Sequence, residues 1–96
     1  MAERNKKRIT EAIKMIVLNE NGLRGLSGCS VSVKSKLRFI ESEKVINCQV
    51  VLATENERTE FPSAKFTLDD LNRYINPPIT VDTMRRLCGC ENETDI

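Results

Sequence analysis

Apolar and polar residues along the chain follow three different rhythms. Between residues 4 and 20, Ile9, Ala12, Ile13, Ile16 and Val17 recur at the three- and four-residue spacing of a helix with one buried face. Asn21-Gly22 is a stop signal, because Gly adopts the left-handed geometry of a helix cap without strain. Gly22, Gly25 and Gly28 make the next segment a connection. The rhythm then changes to period two over residues 29–40. Val31, Val33, Leu37 and Phe39 point one way, and Ser30, Ser32, Lys34, Lys36 and Arg38 the other.

A second strand is expected at about 44–54, after the polar turn Glu41-Ser42-Glu43. Ile46, Cys48, Val50 and Leu52 share its inner face. Its other face carries Val45, Val51 and Ala53 among polar residues and is therefore half apolar. Residues 59–66 read as a third strand with Phe61 and Phe66. Pro62 lacks a ladder donor and assigns it to a sheet edge. Thr67 is placed to cap a short helix containing Leu68, Leu71 and Ile75, with Asp69 and Asp70 in its first turn. Pro77-Pro78 ends that pattern. Thr80 begins a last helix with Val81, Met84 and Leu87 inward, and Gly89 closes it.

These elements predict an α+β domain over residues 1–90. It has an N-terminal helix, a three-stranded antiparallel meander, and one broken or two short C-terminal helices on one sheet face. Residues 91–96 form an acidic tail. The order helix–three strands–helix is similar to that of double-stranded RNA-binding domains over about 4–88. Those domains carry a Lys-rich motif at the start of the last helix. Here Thr67-Leu68-Asp69-Asp70-Leu71-Asn72-Arg73 stands there and is acidic, so the similarity implies topology and not that family's RNA contacts.

Composition narrows the function. Apolar residues make up 40% and charged residues 30%, a globular balance. No apolar run approaches the roughly 20 residues of a membrane helix, and no secretory leader is apparent. The expectation is a soluble cytoplasmic protein. The chain has no histidine, the usual proton shuttle near neutral pH. Cys88 and Cys90 lie near Arg85 and Arg86, but a thiol nucleophile also needs a base. Asp69 and Asp70 are adjacent and point about 100° apart on a helix. The expectation is a protein that is not an enzyme and needs no cofactor.

Four cysteines, Cys29, Cys48, Cys88 and Cys90, raise a zinc or thiol function as a secondary alternative. The close pair Cys88-Gly89-Cys90 departs from the two- to four-residue separation of zinc ligands, and Cys48 falls on an apolar strand face. No metal ligand is assigned. Gly22-Leu23-Arg24-Gly25 matches a nucleotide-clamping loop pattern, but it leads into a strand and reads as a helix stop. Residues 68–76 and 80–88 raise a helix-turn-helix with Thr80, Thr83, Arg85 and Arg86 outward, which the acidic first helix opposes.

Charge is what folding leaves unexplained. Residues 1–40 hold nine basic and three acidic residues, and residues 41–96 hold six and eleven. Lys34, Lys36 and Arg38 on one strand face, with Arg4, Lys6, Lys7 and Arg8 on the first helix, form the candidate binding surface. Val45 and Val51 add a candidate apolar patch. The leading expectation is a protein-binding module: an inhibitor, adaptor or assembly factor, of which a viral antagonist of a host system is one form. Its partner would be a protein with an acidic surface, and a homodimer through the sheet would also fit. The alternative is a nucleic-acid-binding regulator using the same basic residues.

Overall fold

A computed structural model describes residues 2–87 and 89–90. The chain runs α1 (Ala2–Glu20), β1 (Ser30–Val33), β2 (Arg38–Ile40), β3 (Val45–Ala53), β4 (Arg58–Thr67), α2 (Leu68–Asn72), α3 (Val81–Leu87) and β5 (Gly89–Cys90). The α+β architecture expected from the periodicities is present. The acidic segment 91–96 lies outside the described residues.

α1 buries the predicted stripe. Ile9 and Ile13 are fully buried, with Ala12, Ile16 and Val17 beside them. Burying one such isoleucine contributes roughly 1.5–3 kcal/mol. The helix stops where Asn21-Gly22 predicts. Gly22 adopts φ 68°. Its N–H donates to the Asn19 carbonyl (3.2 Å), and the Leu23 N–H donates to the Leu18 carbonyl (2.8 Å). This pair of bonds satisfies the last carbonyls of the helix, so the Gly-Leu-Arg-Gly segment begins as a helix cap.

β3 is the centre of the sheet. β4 pairs with one side of it, and β1 and β2 follow each other along the other side. The expected single strand over 29–40 is thus two strands. β1 pairs Val33 with Val50, and β2 resumes with Arg38 opposite Asn47. Five residues advance on one strand against three on the other, a bulge of two extra residues. An even insertion returns the side chains to their original faces. Val31, Leu37 and Phe39 are therefore all buried on the core side, as the alternation requires. The bulge is held by the Lys34 N–H donating to the Gln49 carbonyl (2.7 Å) and the Gln49 N–H donating to Ser35 Oγ (2.8 Å).

β4 has β3 as its strand partner, at the edge that Pro62 predicts. Its register shifts by one residue between Cys48–Ala64 and Val50–Phe61, around Pro62-Ser63. That odd insertion brings Phe61 and Phe66, five positions apart, onto the same core-facing side.

Thr67 caps α2, its Oγ accepting from the Asp70 N–H (3.1 Å). The helix ends at Asn72, well before Pro77-Pro78, yet Ile75 and Ile79 still reach the core. Asn72 shapes this link: its side chain donates to the Ile79 carbonyl (3.0 Å) and accepts from the Ile79 N–H (2.8 Å). Thr80 caps α3 by accepting from the Thr83 N–H (3.2 Å), and Met84 is fully buried. Gly89 does not merely end α3. With Cys90 it forms β5, which lies parallel to β2 with Arg38 opposite Gly89 and Phe39 opposite Cys90.

Candidate functional site: a lysine groove along a strand edge

An open groove of about 860 Å³ lies between α1 and the β1–bulge segment. α1 supplies Lys6, Lys7, Thr10 and Lys14; the other wall is residues 31–37, including Lys34, Ser35 and Lys36. Among the described residues, five lysines and three hydroxyls line it, with no carboxylate. Lys6 and Lys14 are two turns apart on α1, about 12 Å at helical rise. Lys14 lies 3.8 Å from Glu11, an exposed pair of little energetic weight. Lys6, Lys7, Lys34 and Lys36 make no ion pair with any described residue. Like charges collected in this way raise the local potential and favour an anionic partner.

The sequence-derived basic surface divides in two. Lys6, Lys7, Lys34 and Lys36 come together in this groove. Arg4 and Arg8 line a separate hollow with Asn5, Asn76 and Pro77. Arg8 is committed to the fold, donating to the Asn5 side chain (2.8 Å) and to the Pro77 carbonyl. Arg38 stands in β2 beyond the bulge and does not line the groove. Lys34, Lys36 and Arg38 therefore do not form a row along one strand, because both lysines lie in the segment between β1 and β2. Lys14 was missing from the expected surface. Its signal was the Lys6–Thr10–Lys14 spacing of four, which places these residues on one helical stripe.

Val45 and Val51 are not an exposed patch. They are 7% and 5% exposed, although they lie on the sheet face opposite the main core. Val51 is flanked by Ser32 and Glu60 on neighbouring strands, and Val45 by Ile40 and Thr67. Polar contacts tie this face together, including the Asn47 side chain donating to Ser63 Oγ (3.0 Å) and Lys65 near Glu43 (3.7 Å). The large apolar side chain that is exposed among the described residues is Leu26, in the glycine-rich connection.

The remaining candidates carry no assembled chemistry among the described residues. Cys48 is buried in the core and Cys29 is half-buried. Cys88 lies outside the described residues, and of Cys90 only the backbone is described. No group of three or more Cys, Asp or Glu side chains is placed to hold a metal among the described residues. α2 and α3 span five and seven residues. Arg85 and Arg86 do not point together into a groove: both contact Asp82, and the Arg85 Nε donates to Glu41 Oε1 (2.9 Å). Hydrogen bonding from Arg85, aided by its charge, holds the Glu41 carboxyl below its ordinary range. No helix among the described residues is long and apolar enough to cross a membrane.

No family model, no curated protein and no solved structure matches this chain.

Proposed function

We propose that this chain is a small non-enzymatic protein-binding module that docks an acidic partner in the lysine groove. The observation that carries the reading is the collection of Lys6, Lys7, Lys14, Lys34 and Lys36 around one groove whose lining has no carboxylate among the described residues. Two segments far apart in sequence supply these lysines. Four of the five have no internal counterion among the described residues, so folding alone does not account for them. An inhibitor, adaptor or assembly factor would use such a surface, and an antagonist made by a virus against a host protein is one form of it.

A protein ligand suits the groove better than a nucleic acid. Single strands are typically held by stacking on aromatic side chains, and no aromatic residue lines the groove. Lysines also lack the planar fork that reads base edges. Part of the lining is apolar, with Val31, Val33 and Leu37.

Fluorescence anisotropy with a labelled acetyl-(Thr-Glu)4-amide peptide and its Thr-Gln analogue tests the reading. At ~50 mM salt the acidic peptide should bind, with affinity falling as salt rises, and the neutral analogue should not. The triple substitution Lys6→Glu, Lys34→Glu, Lys36→Glu should abolish binding. Failure of the acidic peptide, with retention of duplex DNA or RNA under the same conditions, would replace this reading with the nucleic-acid one.

A further inference from the structure

The groove offers more than charge, because one of its walls is a strand edge with no strand partner among the described residues. Its lining takes the consecutive residues Val31, Ser32 and Val33, from both faces of β1, and continues through the bulge to Leu37. Only the edge of a strand presents consecutive residues in that way. The Lys34 N–H donates to the Gln49 carbonyl, which fixes the phase of the β1–β3 ladder. Ser32 and Ser30 then bond toward β3, while Val31 and Val33 turn their N–H and C=O groups to the opposite side. β3 is the strand partner of β1 among the described residues. Edges of this kind accept an added strand.

The same side of the sheet already receives one. β1 and β2 lie in succession along β3, and β5 pairs with β2 on the side away from β3. That row ends at the bulge, and beyond it the edge of β1 faces the lysines of α1. The geometry points to β-strand addition: an extended acidic segment of a partner protein pairs with Val31 and Val33 and sets alternate carboxylates against the groove lysines. Charge complementarity selects the occupant. The α1 row of about 12 Å is matched by roughly four residues of extended chain. Main-chain bonds would supply register, and lysines would supply the preference for acids. This inference rests on the protein-docking reading and deepens it to a binding mode.

Backbone methylation of the peptide separates the two. Three probes are compared by anisotropy: acetyl-(Thr-Glu)4-amide, the same peptide N-methylated at every Thr, and the same peptide N-methylated at every Glu. In an added strand only alternate N–H groups face β1. One methylated peptide should therefore lose roughly tenfold or more in affinity, and the other should bind like the parent. Equal binding by all three would overturn strand addition while leaving acidic docking intact. Equal weakening of both methylated peptides would also overturn it, since alternation is then lost. No binding by the parent peptide would overturn both readings. A Val33→Pro variant gives the same test from the protein side. It removes an outward N–H that β3 does not use, and circular dichroism checks that it folds. Loss of peptide binding by the folded variant is expected, and unchanged binding contradicts the mode.

Discussion

β1 and β2 are two halves of one alternating segment, pair with the same strand, and bury apolar side chains on the same side of the sheet. Their outer edges differ. β2 is covered by β5, which follows α3, and fully buried Phe39 anchors it in the core. β1 has no second strand partner among the described residues, faces α1, and ends in a bulge that carries two lysines. A two-residue insertion separates a half committed to folding from a half whose polar groups and charges are left available. Stability and binding should therefore respond to different substitutions on the two sides of residues 34–37.

The largest expected effect is on the β2 side. Phe39→Ala should cost about 3–5 kcal/mol in urea unfolding, from lost burial and the cavity left behind. Val33→Ala, at a half-buried position on the β1 side, should cost less than about 1.5 kcal/mol. Similar costs at the two sites would remove the contrast.

Next come the contacts that position α3 and, through it, β5. Asn72→Ala removes both bonds to Ile79 and should destabilise by about 1–3 kcal/mol in the same measurement. Arg85→Ala should have a smaller, pH-dependent effect, because Arg85 joins α3 to Glu41 at the β2–β3 turn. The Glu41 carboxyl is depressed below its ordinary 4.5, so the folded state favours its ionised form. This contribution is present above pH 4.5 and disappears as pH falls through the lowered folded value. Unfolding midpoints of wild type and Arg85→Ala should differ at pH 7 and converge in acid. A difference that persists in acid would assign the effect to packing.

The smallest effect on stability belongs to the groove. Lys34→Glu and Lys36→Glu should each change unfolding free energy by no more than about 0.5 kcal/mol, as surface substitutions without internal partners do. Loss of more than ~2 kcal/mol from either would show a structural role for the bulge lysines.

Most of the fold was legible because its signals are local. The α1 stripe, the Asn21-Gly22 stop, the alternation around Val31 and Phe39, and the Thr67 and Thr80 caps each act within a few residues. The bulge at 34–37 was not legible, because an even insertion leaves the alternation of Val31, Val33, Leu37 and Phe39 intact. The bulge in β4 did leave a trace: Phe61 and Phe66 have odd spacing, which an uninterrupted strand would send to opposite faces. β5 is too short to show a rhythm.

The candidate site was half legible. Four of its five lysines were singled out by charge alone, but their grouping depends on how α1 lies beside β1. Arg8 belonged to the same basic run, and its bond to Pro77 spans 69 positions that no local pattern connects. Val45 and Val51 looked exposed because alternation reports only the face. It does not report the shielding of a central strand by its neighbours.

Amide chemical-shift mapping by NMR tests the groove most directly, with acetyl-(Thr-Glu)4-amide titrated into the wild-type protein. Shifts should concentrate on Lys6, Lys7, Thr10, Lys14 and residues 31–37, while Arg4, Arg8, Asn76 and β2 remain nearly still. Shifts centred on the Arg4–Arg8–Asn76 hollow, or spread evenly over both basic regions, would contradict the assignment of binding to the lysine groove.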